Sequence, residues 1–150
     1  MRMLASGWQV SGIVRLRSGP FLSVTSGLDQ ALTGQGNQRA VPLLDNPYDP
    51  DKTIDHYLNP KAFTQPALGS YSPLGANTIL GPGLIQIDMG LTRSFQVRER
   101  QSVQFRAEAF NLPNHVNPST PITAINNGNF GKILAAGDPR LLQFALKYVF

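Results

Sequence analysis

Few side chains in this sequence are of a type and spacing that could do chemistry. His56 stands beside Asp45, Asp49, Asp51 and Asp55, a density of carboxylates that suits a hard cation such as calcium. Pro47 and Pro50 interrupt the run, and its spacing does not match an EF-hand loop. A solvated acidic loop accounts for it better. His115 follows Asn114 in a turn-forming stretch and reads as structural. Arg106 and Glu108 are two apart in a strand-like segment, so both project from one face. They could be taken for a catalytic charge pair, but an ion pair on a wet sheet face explains them more simply. The chain has no cysteine, which removes thiolate and disulfide chemistry. It carries neither a Gly-x-Ser-x-Gly elbow nor a Walker-type loop. The sequence therefore predicts no catalytic residue, no metal, no cofactor and no enzyme.

The elements that hold these residues are read from alternation. At the end of the chain Leu142, Phe144, Leu146, Tyr148 and Phe150 fall on one face, and Leu141, Gln143, Ala145, Lys147 and Val149 on the other. A period of two defines a strand with one apolar face. The segment from Arg140 to Phe150 is long enough, when tilted, to cross hydrocarbon. An alternating strand that closes on Phe resembles the last strand of bacterial outer-membrane barrels, where it serves as the assembly signal. The competing reading is the terminal strand of a soluble β-sandwich.

Three more segments alternate. Trp8–Arg17 puts Trp8, Val10, Gly12, Val14 and Leu16 on one face, and Gln9, Ser11, Ile13, Arg15 and Arg17 on the other. Arg15 and Arg17 thus point to a wet interior, and Trp8 to an interfacial aromatic girdle. Ser18-Gly19-Pro20 interrupts the ladder, with Phe21 to Thr25 expected to continue the same strand beyond it. Leu84 to Val97 alternates with Arg93 as the one violation of the apolar face, expected to snorkel to the membrane edge. Arg98 to Gln101 forms a short polar turn, and Ser102 to Asn111 alternates again, with Arg106 and Glu108 facing inward. Ser26 to Gly83 and Leu112 to Pro139 are long and rich in Gly, Pro and Asn, as long loops are. Ile54, Tyr57, Leu58 and Phe63 are expected to fold part of the first loop onto itself.

The fold class that follows is all-β: an antiparallel up-and-down sheet of about four long strands with two long loops, the C-terminal part of a transmembrane β-barrel. Connections that run long, short, long place both long loops outside the cell and the short turn in the periplasm. Only 15% of residues are charged, against about 25% in soluble domains. The net charge of +4 is scattered, with no basic run that would track nucleic acid. No apolar run reaches the roughly 20 residues of a membrane helix. The first residues lack the apolar core of a signal peptide.

Several stretches together resemble TonB-dependent receptors. They are Gly7-Trp8-Gln9 with Ser18-Gly19-Pro20-Phe21, Leu58-Asn59-Pro60-Lys61-Ala62-Phe63, and Asn77 to Gly83 with Ile87-Asp88. Phe105 to Leu112 with Asn114-His115, Phe130 to Ile133, and Asp138 to Phe144 complete the set. Together they resemble the C-terminal barrel end of Oar-like receptors, which carry a carboxypeptidase-regulatory-like domain. Pro113 departs from the pattern, standing where the family has an aromatic. The resemblance runs from Gly7 to Phe150 and implies that residues 1–150 are a partial receptor barrel without its plug. It implies an outer-membrane location in a Gram-negative-type bacterium. The implied partners are outer-membrane lipid, the barrel-assembly machinery, the rest of the receptor including the plug, TonB through that plug, and an unidentified extracellular substrate. Trp8, Phe144, Tyr148 and Phe150 would act at the membrane interface or in assembly, and Arg15, Arg17, Arg106 and Glu108 would face the lumen. Four strands cannot close a barrel, since the smallest have about eight. The sequence therefore reads as the end of a longer chain, Met1 as an internal methionine, and transport as a property of the whole. Two other functional readings stand beside it: adhesion or ligand capture without transport, and a small oligomer that closes a barrel from several copies.

Overall fold

The computed structural model describes residues 7–150. It divides into two compact units. The first holds the chain up to Arg17 with Leu84–Asn117 and Asp138–Phe150; the second holds Ser18–Gly83 and Pro118–Gly137.

The first unit is a four-stranded antiparallel sheet. Its strands are β1 (Trp8–Arg17), β6 (Leu84–Arg98), β7 (Gln101–Phe110) and β8 (Leu141–Val149), side by side in the order β1-β6-β7-β8. At 10, 15, 10 and 9 residues, each meets the roughly 9–11 that a tilted strand needs to span hydrocarbon. Register decides what this sheet can be, because a slip of one residue would invert a strand's faces. Trp8 lies opposite Arg93, Val10 opposite Leu91, Gly12 opposite Met89, Val14 opposite Ile87 and Leu16 opposite Ile85. Leu91 then meets Ala107, and Phe95 meets Val103. Ala107 in turn meets Phe144, Phe105 meets Leu146, and Val103 meets Tyr148. Directly opposed residues share a face, so all four apolar faces coincide. The opposite face carries Ser11, Arg15, Asp88, Thr92, Arg106, Glu108, Gln143 and Lys147 on the same register. Every residue of β1 and of β8 is exposed. A sheet that buries neither face in protein, apolar on one side and charged on the other, has the construction of a barrel wall.

Strands β6 and β7 are joined by Glu99-Arg100, with Arg98 opposite Gln101. The register shifts between Gln96 and Arg98, a bulge beside the turn of the kind common at barrel rims.

The second unit contains the buried core. Val24, Ala40, Tyr57, Leu58, Ala62, Phe63, Ile79, Phe130 and Ile133 are all buried. Its regular elements are short: β2 (Phe21–Leu22) pairs with β5 (Ile79–Leu80), and β3 (Val41–Pro42) pairs with β4 (Phe63–Thr64). A 3-10 turn, Pro60–Ala62, is capped by Asn59, whose side chain accepts from the Lys61 N–H. Gly19 and Gly81 approach so closely that a Cβ on Gly19 would strike the Gly81 carbonyl.

Several expectations are corrected here. Phe21 to Thr25 does not prolong β1, which ends at Arg17. Phe21–Leu22 instead forms a separate two-stranded sheet with Ile79–Leu80, because Pro20 has no N–H to continue a ladder. Tyr57, Leu58 and Phe63 are buried as expected, but Ile54 is exposed and takes part through its carbonyl, which accepts from the Ile133 N–H. The two long connections are not separate loops. Phe130 meets Phe63 edge-to-face at 5.9 Å, the Gly131 carbonyl accepts from the N–H groups of Tyr57 and Leu58, and Thr25 bridges both Arg39 and Ala124. One core is built from both.

Candidate functional site

The polar face of the sheet gathers the charged residues. Arg15 reaches Asp88 at 3.3 Å, one step diagonally across the β1–β6 pair. The Asp88 carboxylate also accepts from the Gln86 side chain, at 3.0 and 3.1 Å, and from the Asn111 N–H at 2.9 Å. Further along, Arg106 and Glu108, which share a face because they are two residues apart, form an ion pair on β7. Arg17 sits on the same face opposite Leu84, so Arg15, Arg17, Arg106 and Glu108 share one side of the sheet. Gly90 lies between Ser11 and Glu108 in register and leaves a hollow of about 230 Å3 walled by Ile13, Asp88, Glu108 and Phe110.

The apolar face carries the sheet's aromatics except Phe110. Phe144 stacks on Phe105 with ring centres 6.4 Å apart, and Tyr148 lies 6.2 Å from Phe150. Pairing sets Trp8 in the row of Arg93, Phe105 and Leu146, and Tyr148 one row nearer the Glu99-Arg100 turn. Phe144 is one row on the other side of Trp8, opposite Ala107. Trp8, Tyr148 and Phe150 therefore gather towards one end of the strands, while Phe144 stands nearer their middle.

Arg93 is packed against rings of its own sheet. It is only 6% exposed, with its guanidinium 5.0 Å from the Trp8 ring centre and 4.4 Å from that of Phe95. Rings presented face-on to a cation offset part of the cost of placing it on an apolar surface. A reading by alternation alone registers Arg93 as a violation, because its partner Trp8 comes from a distant strand.

At the other end of the sheet three asparagines, spaced three apart, tie strand ends together. Asn111 is in the left-handed region (φ 51°) and buried. Its amide donates to the carbonyls of His115 and Asp138, while its oxygen accepts from the His115 N–H. Asn114, also left-handed, accepts from the Arg140 N–H at the start of β8. Asn117 imitates a strand, accepting from the Ile85 N–H at 2.9 Å and donating to its carbonyl at 3.0 Å. His115 lies 3.1 Å from the Asn117 oxygen. The Asn-x-x-Asn-x-x-Asn spacing was the available signal for this clasp; Asn tolerates positive φ and competes for backbone groups.

In the second unit the acidic stretch is organised by turns. Asp49 accepts from the Asp51 N–H, and Lys52 lies 3.9 Å above the Tyr48 ring and 5.2 Å from that of Tyr57. Both tyrosine hydroxyls donate to the Leu80 carbonyl. Burial, with the neighbouring Tyr48 second, pushes the Tyr57 hydroxyl above its ordinary pKa. Asp29 is held below the usual carboxylate range, first by the Thr33 N–H and further by Gly34, the Thr33 hydroxyl and Gln38. Among the described residues no three His, Cys, Asp or Glu side chains come together as metal ligands.

A sheet with one lipid-compatible face, one charged face and strands of spanning length defines a transmembrane β-barrel wall. The model of the family described as outer membrane beta barrel domain matches residues 1–143, and the chain belongs to that family. Its place is accordingly the outer membrane. No curated protein matches the sequence, and no solved structure does.

Proposed function

We propose that this chain supplies the C-terminal wall of a TonB-dependent, Oar-like receptor barrel, and that its second unit is the extracellular part that meets the ligand. The observation that carries the reading is the common register of β1, β6, β7 and β8, which puts Arg15, Arg17, Asp88, Arg106, Glu108 and Lys147 on one face and leaves Arg93, with Arg98 beside the turn, on the other. A charged inner face suits a wall built around a water-exposed plug. The outer edges of β1 and β8 have no partner strand among the described residues. In lipid such edges are untenable, so the sheet functions within a larger barrel. Catalysis has no part in this role. Trp8, Tyr148 and Phe150 anchor the wall at one interface and support its insertion by the assembly machinery; Phe144 contacts lipid nearer the middle.

A second reading, capture or adhesion without transport, is favoured by one feature. The second unit has a hydrophobic core of its own, which suits a standing binding platform. Sequencing the coding region upstream of Met1 separates the two. An in-frame plug domain with a TonB box supports transport; a barrel without them leaves capture.

A further inference from the structure

The second unit contains an open polar pocket that nothing above employs. Asn37, Gln38, Arg39, Tyr71 and Ser72 line a hollow of about 160 Å3. We infer that it is a subsite for one carboxylated sugar ring of an acidic oligosaccharide, an assignment that rests on the proposed extracellular position of this unit.

The floor of the pocket is fixed by internal bonds. The Gln38 oxygen accepts from the Ala31 N–H at 2.7 Å, and its amide donates to Asp29 at 2.8 Å. The Ser72 hydroxyl donates to the Ala40 carbonyl at 2.6 Å and accepts from the Leu74 N–H at 3.0 Å. These two side chains shape the pocket and have little left to offer a ligand. Three others do. Arg39 donates its Nε to the Leu74 carbonyl at 2.6 Å, which holds the guanidinium plane in place. Its two terminal amino groups have no hydrogen-bond partner among the described residues and are left for a ligand; a guanidinium takes a carboxylate by two parallel bonds. Asn37 offers an exposed amide on a left-handed backbone (φ 65°), able to donate and accept with hydroxyls. Tyr71 is 72% exposed, a flat ring with no burial to explain it.

Guanidinium, amide and free ring meet the three faces of a uronic acid: its carboxylate, its hydroxyls and its C–H surface. The hollow is smaller than the roughly 300–1,000 Å3 of sites that enclose a small molecule. It accepts one ring of a longer ligand and leaves the rest in solvent.

The test uses the intact barrel protein in detergent, titrated calorimetrically with tetragalacturonate and with neutral maltotetraose. The acidic tetramer is expected to bind more tightly. Tyr71→Ala should weaken both sugars. Arg39→Gln should weaken the acidic one alone, by roughly tenfold, the loss of a charge-assisted bidentate contact. Equal affinity for the two sugars, or unchanged binding by Tyr71→Ala, overturns the subsite. Tyr71→Cys, in a chain with no native cysteine, is then treated on intact cells with a maleimide too large to cross the outer membrane. Labelling without selective sugar binding refutes the subsite alone. Absence of labelling refutes the extracellular placement, and the subsite with it.

Discussion

If Arg93 is held by the rings around it, removing it must cost less when Trp8 is already gone. The guanidinium lies 5.0 Å from the Trp8 ring and 4.4 Å from Phe95, inside the ~6 Å reach of a cation–π contact. At 6% exposure it is largely desolvated, which places each contact in the upper part of the range of about 0.5–2 kcal/mol. The opposing term is the cost of a cation on a lipid-facing surface, ~2–4 kcal/mol at the bilayer midplane and falling to about 0–1 at the interface. That term depends on depth, and it cancels in a double-mutant cycle. Arg93→Leu, Trp8→Leu and the double variant, each in the intact barrel in phospholipid vesicles, can be unfolded with guanidinium. The heat-sensitive gel mobility of the folded barrel then reports the folded fraction. The cycle should return a coupling of about 1–2 kcal/mol between Arg93 and Trp8. A coupling within the ~0.3–0.5 kcal/mol by which independent sites fail to add would refute the cage.

Further outcomes follow from the second unit and the strand ends. Leu58→Ala removes a side chain only 1% exposed and should cost about 2–5 kcal/mol, seen as faster proteolysis of the second unit while the sheet stays protected. Gly131→Ala should act similarly, since Gly131 has φ 80° and a Cβ there would stand 2.5 Å from the Leu58 carbonyl; wild-type resistance to protease would contradict this. Burial raises the pKa of Tyr57 in the folded state. Its contribution is therefore complete below the unfolded value of 10.0 and is lost as pH rises through the folded one. Protease resistance should fall above pH 10 in wild type and less steeply in Tyr57→Phe. Asn117→Ala leaves the Ile85 N–H and carbonyl without their partners. Hydrogen exchange at Ile85 should quicken markedly, with the middle of β6 unaffected.

The sheet was legible because alternation is local. Trp8–Arg17 can be sorted into faces from its own residues, and the observed strand has those bounds. Pairing was not written in any one strand, yet it brought the four apolar faces together, since only that arrangement leaves a continuous surface for hydrocarbon. The candidate residues fared unevenly. Arg15, Arg17, Arg106 and Glu108 could be assigned a common face, but not the Asp88 that Arg15 meets. Contacts between residues far apart in sequence have no period, and the losses fall there. The Trp8–Arg93 stack, the meeting of Phe63 with Phe130 and the pocket of Arg39 with Tyr71 each join distant segments. Proline and glycine counts marked the connections as irregular without revealing that they share a core.

That shared core bears on how such a protein can diversify. Tyr57, Leu58 and Phe63 come from one connection, Phe130, Gly131 and Ile133 from the other. Recombination that exchanged a single connection with a relative would bring together halves that had never been selected against each other. Variants that keep the second unit folded should thus arise by inheritance of the two as a linked pair, or by change at exposed positions such as Tyr71 that the pairing does not constrain.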